Sequence, residues 1–194
     1  MALSGQAMAI EEPAYRVIEA EGAFELREYQ PYLLAETRVE AGFMSAGNVA
    51  FGRLFGYISG NNVSQSKIAM TAPVVQRSGE KIAMTAPVQQ SAEGEAFRIG
   101  FVVPAQYTLE NVPQPTDPRV SIREVSGGLI AVWRYSGRWT EANFKENELE
   151  LRQQLQRRGL RVAGQAQLAR YNSPFKPWFL RRNEVQLAVS RAGE

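Results

Sequence analysis

The chain contains no cysteine and no histidine. Without cysteine there is no disulfide, no thiol nucleophile and no thiolate metal site. Without histidine, a Ser-His-Asp triad, a histidine-zinc site and histidine-ligated haem are excluded. Any catalysis would fall to Asp, Glu, Lys, Tyr, Ser or Thr. No apolar run approaches the roughly 18 residues of a membrane-spanning helix. A dominant charge is also lacking: 22 basic and 20 acidic residues leave a net +2. No basic stripe carries that excess, so nothing argues for nucleic acid. Arg157-Arg158 and Arg181-Arg182 are isolated pairs that read as solvated surface or local ion pairs.

What is present suits a globular protein. The 194 residues fit one domain, or one built from two similar halves. An apolar fraction of 44% supplies a core, and 22% charged residues is ordinary. The most distinctive stretch is Lys67–Val88, where Lys-Ile-Ala-Met-Thr-Ala-Pro-Val occurs at 67–74 and again at 81–88. In an extended chain Ile68, Met70 and Ala72 share one side, as do Ile82, Met84 and Ala86. Ser78-Gly79 between the copies is a turn signal. Pro73 and Pro87 cannot donate to a ladder and should close their strands. The pattern predicts a short hairpin presenting two Met side chains, either as core packing or as a soft binding surface.

At the N-terminus, Ala7-Met8-Ala9 has the small-x-small form of a signal-peptide cleavage site, without the charged and apolar regions that precede one. Two readings stand: residues 2–9 are the remnant of a signal peptide on an exported, periplasmic protein, or residues 1–12 are a disordered start of a cytoplasmic one.

Further along, alternation predicts strands over Tyr15–Ala20, Phe24–Tyr29 and Tyr32–Val39, a three-strand meander with turns at Gly22 and Gln30-Pro31. Ser45 is placed to cap a helix running to Ser59, with Gly60 as its stop. Ala46, Ala50, Leu54 and Ile58 form its apolar stripe, with Phe51 and Phe55 beside it. Gly47, Gly52 and Gly56 each cost about 1 kcal/mol inside a helix. They imply either close packing on the sheet or close approach of another backbone or a flat ligand. Ala96–Val103 is a strand. The proline-rich 104–117 is a connector. Val120–Val125 and Leu129–Tyr135 are strands joined by the hairpin signal Ser126-Gly127-Gly128. Thr140 caps a second helix that ends at Gly159, acidic at its start and basic at its end, as the helix dipole favours. Gln165–Tyr171 and Glu184–Val189 are the closing strands.

The halves match at an offset of 96 residues: Arg27-Glu28 with Arg123-Glu124, Leu33-Leu34-Ala35 with Leu129-Ile130-Ala131, and Phe43 with Trp139. Each half reads strand, strand, helix, strand, strand, an internal duplication of a supersecondary unit. Two such units can join their sheets into one curved sheet or closed barrel, with a pocket where a helix meets the sheet or between the halves.

The paired octapeptides, together with Tyr171-Asn172-Ser173-Pro174-Phe175-Lys176-Pro177-Trp178 and Arg181-Arg182-Asn183-Glu184-Val185, resemble the SOUL haem-binding protein family. Tyr15-Arg16-Val17-Ile18 and Glu25-Leu26-Arg27-Glu28-Tyr29 fit it too. The resemblance implies an α+β fold over residues 13–190: a duplicated unit (13–103 and 118–190, joined by 104–117) forming a distorted, mainly antiparallel β-barrel flanked by two long helices. It also implies a non-enzymatic protein that holds haem or a free porphyrin non-covalently. The ligand would lie between an apolar face of the first helix and the loop before the last strand. Carried over, that site is Phe51, Leu54, Phe55 and Ile58 with Phe175 and Trp178, while Arg53 and Lys176 would meet the propionates. Two basic helix positions of the family fall here on Asn48 and Gly56. The iron would be weakly ligated or not axially ligated, with Met44, Tyr57, Met70 and Met84 as the available side chains. Other readings are a binder of an apolar or cationic molecule, with Glu36 or Glu184 as its acidic residue, a hydrolase using a carboxylate base, and a protein-interaction module.

Overall fold

The computed structural model describes residues 10–65 and 79–191. In chain order its elements are β1 (Tyr15–Glu21), β2 (Phe24–Tyr29), β3 (Tyr32–Val39), α1 (Phe43–Ile58), β4 (Asn62–Val63), β5 (Val88–Glu93), β6 (Ala96–Val102), β7 (Gln114–Pro115), β8 (Val120–Val125), β9 (Gly128–Tyr135), α2 (Glu141–Arg157), β10 (Leu160–Val162), β11 (Gln167–Arg170) and β12 (Asn183–Arg191). Both helices end where the sequence stops them. Thr140 accepts a hydrogen bond from the Asn143 amide as the cap of α2, and Gly159 follows with φ +64°. The cap of α1 is Gly42, not the expected Ser45, so this helix starts without a side-chain cap. No described helix is long and apolar enough to cross a membrane.

The pairing of strands departs from the local turn signals. One ten-stranded antiparallel sheet runs β1-β2-β9-β12-β11-β5-β6-β3-β8, with β10 on β12 and a separate β4–β7 pair. The expected closed barrel is not formed: β1 and β8 are the two ends of the sheet and do not pair. Nor is there a β1-β2-β3 meander or a β8–β9 hairpin. Instead β2 pairs with β9 and β3 with β8, so each half lends a strand to the other. A turn signal marks a reversal of the chain but carries no information about which strand becomes the neighbour.

The exchange is accommodated at one crossing. The β2–β3 connection at Gln30-Pro31 passes the β8–β9 connection at Gly127, where a Cβ would overlap the Tyr29 carbonyl oxygen and lie 3.1 Å from the Pro31 nitrogen. Only glycine fits such an approach. In both exchanged ladders the numbers of paired residues sum to 157, as in Phe24↔Trp133 and Tyr32↔Val125. The sheet pairing therefore maps onto itself when β2, β3, β5 and β6 are swapped with β8, β9, β11 and β12.

Each helix covers a core that mixes the two halves. Under α1 lie Ala46, Ala50, Leu54 and Ile58 with Leu33, Ala35, Ile99, Phe101 and, from the second half, Val120. Under α2 lie Leu151 and Leu155 with Ala131, Val185, Leu187 and, from the first half, Phe24 and Leu26. Burying each such aliphatic or aromatic side chain contributes about 1.5–3 kcal/mol.

The second octapeptide is not a strand. Its backbone donors serve other partners: the Ile82 amide bonds the Ile58 carbonyl at 2.8 Å, and the Ala86 amide bonds the Glu11 carbonyl at 2.9 Å. Thr85 Oγ1 donates to the Val102 carbonyl. Ile82 and Ala86 are buried while Met84 is half-exposed, so the expected shared face is lost. The segment is a strap tying the end of α1 to β6, and pairing begins only at Val88. The first copy, at 67–74, lies outside the described residues.

On the face away from the helices the core is polar. Arg27 and Glu184, both fully buried, form a two-pronged ion pair at 2.9 and 3.0 Å across strands two apart in the sheet. Arg182, the Tyr171 hydroxyl and the Gln186 amide also donate to Glu184. Burial alone would raise the Glu184 carboxyl, but the hydrogen bonds and charges of Arg27 and Arg182 outweigh it and hold the group at about 2. A carboxyl depressed in this way stabilises the fold above its unfolded value, and that stability is lost as pH falls through the folded value.

Two outcomes are expected. Gly127→Ala should lower stability by about 1–3 kcal/mol, because the crossing must open to admit a methyl group. Chemical denaturation measures this, and an unchanged midpoint would show that the crossing tolerates a side chain. Glu184→Gln should cost about 3–5 kcal/mol, because the fully buried Arg27 loses its two-pronged partner and keeps only Glu25, while the partly exposed Arg182 keeps Glu12. It should also flatten the loss of wild-type stability between pH 4.5 and about 2, measured by denaturation at each pH.

Candidate functional site

The helix-side face of the sheet is not fully covered. Helix α1 lies over β3, β6 and β8, and α2 over β9, β10 and β12; β5 and β11 lie between them, and the Phe43 and Phe144 rings meet 5.8 Å apart from the starts of the two helices. One cross-strand row forms the floor between the helices. Phe101 pairs with Val88, Val88 with Arg170, Arg170 with Asn183, and Asn183 with Tyr135. Directly paired residues share a face, so these side chains stand in line on the helix side.

The exposed flank of α1 makes one wall. Phe51 and Phe55, one turn apart, are 42% and 47% exposed and stack with ring centroids 5.7 Å apart. Phe51 also packs edge-on against Phe101 at 5.5 Å, which joins the wall to the floor. The helical glycines separate into different roles. Gly47 makes room for Arg170, whose guanidinium would lie 3.0 Å from an added Cβ. Gly56 makes room for the Asn61 side chain, while Gly52 faces open space.

The other wall is the start of α2 and the loop before β12. Trp139 donates to Asn183 Oδ1 at 2.7 Å and carries Arg170 and Arg181 against its ring, at 5.2 and 4.2 Å. Arg138 lies over Trp178 at 5.5 Å. The loop is held by its own backbone: Arg181 donates to the carbonyls of Lys176 and Pro174, and the Gly137 amide bonds the Trp178 carbonyl. Its apolar side chains project outward, with Phe175 94% exposed and Trp178, Phe179 and Leu180 about half-exposed.

The side chains expected at a ligand site are therefore divided. Phe51 and Phe55 are half-exposed on α1, and Trp178, Phe175 and Lys176 belong to the loop before β12. Leu54 and Ile58 are buried against the sheet beneath α1 and are core, because they lie on the helix stripe directed at β3 and β6. Arg53 is anchored on β3, donating to Thr37 Oγ1 at 3.1 Å and to the Arg38 carbonyl at 3.0 Å. Among the possible axial ligands, Tyr57 is buried and donates its hydroxyl to the Pro113 carbonyl at 2.8 Å. Met44 and Met84 are half-exposed, and Met70 lies outside the described residues. No described cluster of acidic side chains could hold a metal ion. Glu36 and Glu184 are on the opposite face and already compensated, Glu36 by Arg98 and Arg123 at 2.5 and 3.0 Å. Neither presents a free negative charge to a cation.

Arg170, Trp139 and Phe101 were missed. Alternation in Gln167-Leu168-Ala169-Arg170 puts Arg170 beside Leu168 on one face, a charge at an apolar position. That was the available signal, but it could not show which elements pack over the face.

Comparison with known proteins agrees with this architecture. The chain is 27% identical over 191 residues to Heme-binding protein 2 of Homo sapiens, covering 92% of this chain and 89% of that protein. It is 26% identical over 190 residues to Heme-binding protein 2 of Mus musculus, covering 91% and 88%. Among solved structures, the EcmrR C-terminal domain superposes with TM-score 0.61 at 9% identity over 92% of this chain and 99% of that one. A hydrolase from Listeria innocua superposes with TM-score 0.55 at 13% identity over 89% and 94%. At these identities the two structures speak for the fold alone. The model of the SOUL heme-binding protein family matches residues 10–188, and the chain belongs to that family.

Proposed function

We propose that the protein binds haem or another tetrapyrrole, non-covalently and without catalysis, in the gap between α1 and the loop before β12. The observation that carries this reading is the stacked, half-exposed Phe51–Phe55 pair seated on Phe101, whose cross-strand row leads to Arg170 and, through Asn183, to Trp139. A flat apolar ring system fits the Phe pair, and acidic substituents suit the arginine. Phe175 and Trp178 would close over the ligand, with Lys176 at the rim. Arg53, already engaged on β3, is a poorer propionate anchor than the resemblance implies. With no histidine and Tyr57 engaged, binding rests on burial of ring area and on charge, leaving Met44 or Met84 as the described options at the iron.

The symmetric register of the exchanged strands supports an internal duplication as the origin of the fold. A cationic ligand is disfavoured by the compensated Glu36 and Glu184. A protein-interaction role has one specific support, the outward Phe175, Phe179 and Leu180.

Absorbance titration with haem and with metal-free porphyrin tests the proposal. Saturable binding of both is expected, weakened about 10-fold or more in Phe55→Glu, since burying a carboxylate against the ring costs at least 1–3 kcal/mol. Absence of saturable binding by either would move the function to another ligand or to a protein partner.

A further inference from the structure

Among the described residues, Arg170 is a cation enclosed without an anion. It joins no ion pair, its Nε is buried with no acceptor, and its one hydrogen bond is a long one, 3.3 Å from NH2 to Gln90 Oε1. Gln90 is itself held, donating to the Phe43 carbonyl at 2.9 Å. The nearby Tyr135 hydroxyl is likewise buried and without a partner. The neighbouring carboxylates are committed elsewhere. Glu184 projects from the other face of the sheet onto Arg27 and Arg182, and Glu141 at the start of α2 pairs with Lys145 at 2.7 Å. The other cations of this wall, Arg138, Arg181 and Lys176, also lack ion-pair partners among the described residues, and the first turn of α1 has no acidic residue. Burial lowers the Arg170 guanidinium to about 10, the expected direction for a charge with nothing to compensate it.

Packing shows that the arginine is accommodated and not displaced. Gly47 leaves the space its guanidinium occupies, Trp139 supports one side of it, and part of its surface remains in solvent. It is the middle residue of the Phe101–Val88–Arg170–Asn183–Tyr135 row, in contact with Gly47 of α1 on one hand and Trp139 on the other. An uncompensated buried charge is costly unless a partner completes it.

We propose that Arg170 is the anion receptor of this groove and takes a carboxylate group carried by a planar, largely apolar ligand. Arg181, across the Trp139 ring, supplies the outer charge. The proposal deepens the tetrapyrrole reading by moving the acid-recognising position from the helix to the central strand.

The test uses the full chain with two probes, metal-free protoporphyrin and its dimethyl ester. In the wild type the diacid should bind about 10- to 100-fold tighter than the ester, the range of a charge-assisted hydrogen bond. Arg170→Gln should erase that preference, Arg170→Lys should keep part of it, and Arg53→Ala should keep it all. A preference that survives Arg170→Gln in a folded variant overturns the proposal. Should neither porphyrin bind, the tetrapyrrole reading fails and the receptor is tested alone with benzoate, following the Arg170 Nε–H resonance. A saturable shift then sustains the anion site, and none overturns it. Thermal denaturation of Arg170→Gln checks folding; retained or increased stability is expected, because the variant removes an uncompensated charge.

Discussion

The fold depends on the mutual loan of β2 and β8. Each half gives a strand to the other, and each helix then packs on a core that neither half could complete. Phe24 and Leu26 fill the space beneath α2, and Val120 fills the space beneath α1. Two connections must therefore cross, and they do so where Gly127 lies against Tyr29 and Pro31. A side chain at that point would force apart the ladders on either side. The Arg27–Glu184 pair acts on the same join from the opposite face, linking a borrowed strand to the last strand of the chain.

This arrangement also makes the groove. Because each helix sits over its own side of the sheet, β5 and β11 lie between the two. Polar residues can occupy such a position only if something compensates them. Gln90 manages this through the Phe43 carbonyl, and Asn183 through Trp139 and the Gly137 carbonyl. Arg170 has no equivalent. The two faces of the sheet thus treat charge differently: away from the helices every buried carboxylate is matched by arginines, whereas on the helix side a guanidinium lacks its counterpart. The first arrangement holds the structure together, and the second is suited to a ligand.

Much of the local structure was legible in the sequence. Phe24–Tyr29, Tyr32–Val39 and Val120–Val125 follow from alternation with their observed bounds, and α2 follows from Thr140 and Gly159. The offset of 96 residues carries the bounds of β2 onto those of β8 and of β3 onto those of β9. The second octapeptide misled because apolar alternation describes an extended chain whether or not its amides pair with a neighbour. Here they bond to Ile58 and Glu11. Leu54 and Phe55 are adjacent in sequence and equally apolar, yet one is 0% and the other 47% exposed. The 100° between successive helix residues separates them, and only the position of the sheet decides which is core.

The sequence by itself determined the bounds of β2, β3 and β8, the helix stops, the absence of thiol and imidazole chemistry, and the family motifs. These depend on residue type and on spacing within one segment. Tertiary structure alone decided which strands pair, that the sheet stays open between β1 and β8, and that Arg170 is enclosed without an anion. Those outcomes depend on contacts between residues far apart in the chain, and such contacts are settled by competition among all the surfaces that could be buried together, not by any one stretch of sequence.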